Sequence, residues 1–386
     1  MPPLDNLRVD DLARDTLEYV RVPSETGSEG PGSLFLADLL RREGFEPELD
    51  PVEPGRPNVY ACWRGTDPTA PAIVFNGHTD TIPIGNSRPP ALDGEWIVGR
   101  GAEDMKGGLV AMVHAASALK QSGVRLRGDV WLTGVIDHET PRGRKTGPRR
   151  LIEHLRSGRI GAQGLVIVEG PANVWSASLG STIFHVSISS PRGILHTIHV
   201  PYRDNPVFWL GRLLNELEHK ESAFQTEPPH ALCGHERLNI GIVQGGDYPN
   251  RLPTPITVTG TWRWKPGRTH ADVRAELDSL CARLSAESGL AFEARYEAAR
   301  EPFETPAEHP LVDAVLGATR DAGCPAERIG MALVCDANLY ANEAGIATVC
   351  YGPAYQTAHS DDERISVHRL LDAARVYAGA MLRFCA

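Results

Sequence analysis

The chain has 386 residues, 41% of them hydrophobic and 23% charged, with a formal net charge of −10. That length passes the size at which one core keeps growing, so two domains are the default. The acidic balance and the lack of a long basic run argue against nucleic-acid binding. No apolar stretch approaches the roughly 18 residues of a membrane span, and the opening Met1-Pro2-Pro3-Leu4 lacks the apolar segment of a signal peptide. Seven cysteines, at 62, 233, 281, 324, 335, 350 and 385, show no C-x-x-C spacing and read as reduced thiols of a cytoplasmic protein.

In chain order, Leu12 to Val20 and Gly32 to Glu43 have the apolar spacing of amphipathic helices, the second closed by Gly44. Strand-like runs follow at 58–63 and 72–76, then a helix over about 106–121 rich in Ala, Met and Val. A strand precedes Asp137, a helix runs near 148–157, and another strand ends at Glu169. Strands alternating with helices imply a mixed sheet with parallel strands, covered on both faces. The pattern changes at Ser178–Leu179. From Ser181 to about Tyr296 it reads strand, helix (205–218), two strands (237–244 and 255–264), helix (269–288) and strand (290–296). That β-α-β-β-α-β order is a ferredoxin-like unit. After Pro302 the mixed pattern returns and ends in a helix over 367–384. The expected fold is therefore α/β: a catalytic domain from 1–178 and 298–386, with an inserted ferredoxin-like domain at 179–297.

Five metal-type ligands stand in this frame: His78, Asp104, Glu139, Glu169 and His359. His78 lies in Asn-Gly-His-Thr-Asp directly after the apolar run 72–75. Asp104 lies in Gly-Arg-Gly-Ala-Glu-Asp-Met-Lys-Gly-Gly, Glu139 and Glu169 follow strand-like runs, and His359 follows the loop Tyr351-Gly352-Pro353. Two imidazoles and three carboxylates suffice for two divalent ions sharing one carboxylate, an arrangement suited to amide hydrolysis. In α/β folds, irregular polar backbone at strand C-termini is where ligands bind.

These strings, in this order over some 280 positions, resemble the two-metal aminoacylase/carboxypeptidase family. That family includes acetylornithine deacetylase, succinyl-diaminopimelate desuccinylase and glutamate carboxypeptidase. The resemblance implies one ion held by His78, Asp104 and Glu169 and another by Asp104, Glu139 and His359, zinc first, with cobalt or manganese as alternatives. It places Asp80 as the residue that orients His78. It also expects Asp-Glu-Glu at the third motif, whose first Glu takes a proton from the reacting water. Here the triplet is Asp137-His138-Glu139, so His138 stands in the base position. That leaves three readings: a hydrolase with a His base, a non-hydrolytic reaction on the same scaffold, and a metal-bearing binding protein without catalysis.

The inserted domain carries further matches. Gly193-Ile194-Leu195-His196 with Pro201 and Asn205-Pro206 resembles the segment whose His reaches a partner subunit's site as a donor to the carbonyl oxygen. His199 is a nearby competitor. Asn250, in Gly245-Gly246…Asn250-Arg251-x-Pro253, and Arg263 match substrate-binding positions, Arg263 as either a carboxylate clamp or a solvated strand charge. Asp336 resembles an Asp-x-Arg element, but Asn338 replaces its Arg. The resemblance implies a homodimer through the insert and a small amide substrate. Finally, Arg142, Arg144, Lys145, Arg149 and Arg150 form either a solvated charged face or a docking patch for an acidic substrate group.

Overall fold

The computed structural model describes residues 4, 6–139 and 144–386, so Arg142 lies outside the described residues. The chain divides into two compact units. The first runs up to Ser176 and takes in Thr305–Ile329 and Leu339–Ala386; the second is Ala177–Glu304 with Gly330–Asn338. Among the described residues no helix is long and apolar enough to cross a membrane.

The first unit is built on a mixed sheet. From one edge its strands run Glu48–Glu53, Arg56–Trp63, Val130–Val135, Ile73–His78, Gly164–Ile167, Ala347–Cys350 and Val174–Ser178. The central strands are parallel: Ile73–His78 pairs in parallel with both Val130–Val135 and Gly164–Ile167, and Ala347–Cys350 continues the set. Ile73, Val74 and Phe75 have no exposed surface, as expected where helices cover both faces. Those helices include Val9–Val20, Gly30–Arg42, Gly107–Gln121 and Val367–Phe384. Tyr377 on the last of them meets Phe75 edge-on, with ring centroids 5.5 Å apart. Between helices, buried Asp15 accepts a 2.8 Å hydrogen bond from His114 and pairs with Arg14 and Arg42, which satisfies a carboxylate that would otherwise be costly to bury.

The helix expected over 106–121 begins at Gly107, and residues Ala102–Lys106 before it form one wide turn with non-helical backbone at Asp104 and Met105. The Gly-Gly pair explains how the helix sits. A Cβ built at Gly108 would lie 2.0 Å from the Val168 carbonyl oxygen, so only glycine lets the helix start approach the strand end next to Glu169. A small three-stranded sheet, Arg364–Ser366 beside Trp96–Val98 beside Ala91–Asp93, was not expected from the sequence. Its strands are only three residues long, and so carry little periodic signal.

The second unit has a four-stranded antiparallel sheet in the order Arg237–Gln244, Ile256–Trp264, Gly180–Ser189, Ala291–Tyr296. Its helices are Pro206–Thr226 and His270–Ser288. In chain order the strands lie 2-3-1-4, the ferredoxin-like arrangement. Strict alternation in Gly180–Ser189 sends Phe184, Val186 and Ile188 into a core shared with Val258, Trp262 and Leu217. The first helix is capped by the Asn205 side chain, and the second by a reciprocal Thr269–Asp272 box.

Gly108→Ala should lower stability by about 1–3 kcal/mol through forced overpacking. A reduced urea midpoint would show this, whereas an unchanged midpoint would mean the helix can move off the strand at no cost.

Candidate metal centre

Four of the five ligand positions follow the C-terminal ends of neighbouring strands in the first unit. His78 closes Ile73–His78, Glu139 follows Val130–Val135, Glu169 follows Gly164–Ile167 and His359 follows Ala347–Cys350. The fifth, Asp104, hangs from the wide turn ahead of the helix Gly107–Gln121. The structure brings them together. Asp104 Oδ1 lies 3.0 Å from His78 Nε2, and its Oδ2 lies 3.2 Å from His359 Nε2. Glu139 Oε1 is 2.9 Å from that same His359 nitrogen. One carboxylate therefore stands between two imidazoles, each of its oxygens facing one ring. Two triads have donor atoms that all lie within 4.8 Å of one another: His78 with Asp104 and Glu139, and His78 with His138 and Glu169.

A set of carboxylates holds this geometry, and they act mainly on backbone N–H groups. Asp80 accepts from the backbone N–H of His138 (3.1 Å) and of Glu139 (2.8 Å), and from the Thr26 hydroxyl (2.8 Å). His78 Nδ1 lies closest to the Asp80 main-chain carbonyl, at 2.9 Å, with the carboxylate Oδ1 at 3.6 Å. Asp80 thus meets the ring through its backbone first, while its side chain ties down the loop that carries two other site residues. Glu363 accepts from the backbone N–H of Glu103 (3.1 Å) and Asp104 (3.0 Å). Glu103 in turn accepts from the backbone N–H of Gln356 and Thr357, which fastens the loop leading to His359 onto the Asp104 turn. Glu363 was not singled out in the sequence. Its position four residues after His359, beside the Asp104 turn only in space, gave no local signal. Asp137 and His359 both have positive φ, 63° and 65°, in the left-handed region that non-glycine residues enter at some cost. Thr146 donates to the Asp137 carboxylate through both its backbone N–H and its hydroxyl, which helps hold that turn.

The electrostatics of the cluster favour cations. Hydrogen bonds to Asp104 and Glu139 raise His359 to about 10. Burial works against a charged His78, but the Asp104 hydrogen bond and the nearby carboxylates still hold it well above the usual imidazole value. Burial also acts to raise Asp104, yet its hydrogen bonds to His359 and His78 keep it well below the ordinary carboxylate range. Glu169 goes the other way, pushed up to about 7 by burial and by the Asp104 charge. Its Oε2 is buried with no hydrogen-bond partner. Nitrogen and carboxylate oxygen donors in this number, one of them buried and unsatisfied, fit divalent metal ions.

The remaining predicted residues lie in the second unit. His196 is exposed, and its Nδ1 accepts from the Ile198 backbone N–H at 3.2 Å. Asn250 is also exposed, and its carbonyl accepts from Thr197 N at 3.0 Å, so backbone pairing brings the His196 and Asn250 segments together. Arg263, half-buried in its strand, donates to the Ala332 carbonyl at 3.1 Å. Asp336 is buried in the same 330–338 segment, which Asn338 pins through hydrogen bonds to Cys335, Leu179 and Glu301. Of the basic stretch, Arg144 pairs with Glu53, Arg149 with Glu343, and Arg150 with Asp50 and Glu153. These arginines serve ion pairs within the first unit.

A mixed α/β sheet with clustered imidazoles and carboxylates at its strand ends defines a metallohydrolase scaffold. Comparison with known proteins gives the family: the chain matches peptidase family M20/M25/M40 over residues 74–383 and belongs to it. It is 28% identical over 401 residues to succinyl-diaminopimelate desuccinylase of Paracoccus denitrificans (strain Pd 1222), covering 98% of this chain and 99% of that protein. It is 25% identical over 411 residues to N-formyl-4-amino-5-aminomethyl-2-methylpyrimidine deformylase of Bacillus subtilis (strain 168), covering 97% and 94%. In structure it is similar to a dinuclear metal binding peptidase of the M20 family from Bacillus subtilis, with a TM-score of 0.75, 16% identity and 97% of each chain covered. The chain is a metal-dependent hydrolase of the amide- and peptide-cleaving kind.

If two ions share Asp104, whose oxygens each face one imidazole, Asp104→Ala should remove binding of both, whereas His359→Ala should leave one ion bound. Metal analysis after dialysis reads the difference. Two ions retained by Asp104→Ala would exclude a bridging role.

Proposed function

We propose that the chain is a binuclear amidohydrolase that cleaves the amide bond of a small N-acyl amino acid, dipeptide or related amide. The observation that carries this reading is Asp104 set between His78 and His359, with Glu139 on the His359 side. On this reading His78, Asp104 and Glu169 hold one divalent ion and Asp104, Glu139 and His359 the other, zinc being the first expectation and cobalt or manganese able to substitute. Bound there, such ions supply Lewis-acid polarisation of a carbonyl and acidification of water. Asp80 then acts as a positioning residue, fixing the 137–139 turn through two backbone N–H groups. Arg263, half-buried and donating to the Ala332 main-chain carbonyl, suits a substrate carboxylate, and Asn250 and Asp336 are assigned to substrate binding with it. Proton transfer falls to His138 only where its ring nitrogens are not themselves coordinating. Its presence in place of a carboxylate favours a second reading, a non-hydrolytic reaction at the same centre. Seven cysteines without C-x-x-C spacing suit a reducing, cytoplasmic setting.

Assembly as a homodimer through the second unit is part of the proposal. Exposed large apolar residues concentrate there, among them Ile198, Tyr202, Phe208, Ile242, Val243 and Tyr248. Ile242 and Val243 lie on Arg237–Gln244, an edge strand of the four-stranded sheet. An uncovered apolar edge of this kind is a template for pairing with a second copy. In such a dimer, His196 of one protomer would complete the site of its partner by donating to the carbonyl oxygen of the substrate.

Chelation should abolish turnover on a panel of N-acyl amino acids and dipeptides, and zinc, cobalt or manganese should restore it. Full activity in metal-free protein would end the amidohydrolase reading. Turnover without hydrolysis in the two-metal protein would establish the second.

Ile242→Asp should shift the protein to monomer in sedimentation. Mixing His196→Ala with Asp104→Ala chains should recover part of the activity, each supplying what the other lacks. A fully active monomer would overturn the shared-site assembly.

A further inference from the structure

The second triad, His78, His138 and Glu169, falls outside the expected ligand pattern, because His138 occupies the base position there. The ring of His138 lies flat against that of His78, with centroids 4.1 Å apart and planes 4° from parallel. Its backbone is fixed on both sides: its own N–H and that of Glu139 are held by Asp80, and Asp137 before it sits in a left-handed turn. The ring is therefore presented to the cage on a short, restrained tether. Glu169 supplies the reason for an extra donor. It is buried, and its Oε2 has no hydrogen-bond partner, a need that a metal ion held beside it would meet.

We propose that His138 is a ligand of the buried metal position, which it closes with His78, Glu169 and Asp104. Resting on the ligand assignment above, this moves His138 from proton transfer into the cage. Binding one ion requires the parallel rings to open so that a nitrogen of each turns toward it, and the donor atoms already lie within 4.8 Å of one another. The consequence is an asymmetric pair. The buried position then has two imidazoles and two carboxylates, four protein donors, which is the count of closed, structural sites. The other position has Asp104, Glu139 and His359, three donors, and the His359 side chain is 49% exposed, as expected of an open site that accepts water and substrate.

The test is metal binding without substrate. Apo-protein is titrated with zinc against a chromophoric chelator and, separately, reconstituted with cobalt for absorption spectra. The wild type should show two ions of well-separated affinity, with His138→Ala weakening the tighter one by at least about a hundredfold, more than loss of an outer-shell partner. The weaker ion should change only a few-fold. The cobalt bands of the tight position should also change in position and shape as its donor set changes. His138→Gln, similar in size and polar, serves if the alanine chain does not fold, and should show the same selective loss. Unchanged zinc affinities and cobalt spectra in the folded variant would overturn the proposal while leaving the amidohydrolase reading intact. A wild type that binds two ions with this asymmetry but cleaves no amide would leave the proposal standing and remove that reading. A wild type that takes up fewer than two ions would remove both.

Discussion

The site depends above all on carrying several carboxylates into a buried space and giving each a positive counterpart. Asp104 and Glu169 are nearly inaccessible, and Asp80, Glu103 and Glu363 around them are equally hidden. An isolated buried carboxylate is too costly to persist ionised. The chain meets that cost in two ways. The outer carboxylates accept backbone N–H groups from the very loops that must be held still, whereas Asp104 and Glu169 face imidazoles and, in Glu169, retain an oxygen that no protein donor reaches. The electrostatic demand for cations and the mechanical hold on the loops come from the same group of residues.

That arrangement also shows why strand ends, not helices, carry the ligands. Parallel neighbours deliver His78, Glu139 and Glu169 to the C-terminal ends of the central strands within a few residues of regular backbone, and His359 follows on a longer loop. The turns beyond the strands are where the backbone enters unusual conformations, at Asp137 and His359. Gly108 serves the same end from the helix side, since its missing side chain lets the Asp104 turn lie against the strand next to Glu169.

Much of this was legible in the sequence. The five ligand positions sit in short strings whose chemistry is local, and the ferredoxin-like order followed from alternation and helical spacing in 181–296. What escaped was long-range. Glu363 matters because two strands of a small sheet bring it beside a turn some 260 residues earlier, and no local pattern reports that. The Asp80 carboxylate was read as the partner of the His78 ring, whereas it chiefly binds the 138–139 backbone, a distinction that depends on rotamers and not on spacing. The basic run after Glu139 gave an ambiguous signal because its partners, Asp50, Glu53 and Glu343, are distant in sequence.

The difference in exposure between the two imidazoles gives the cluster two unlike faces. The His78 side chain is 1% exposed and the His359 side chain 49%. Solvent therefore meets the cluster at His359, while the protein itself is the immediate surrounding of His78, so the same ring chemistry is set in two different dielectric environments a single carboxylate apart.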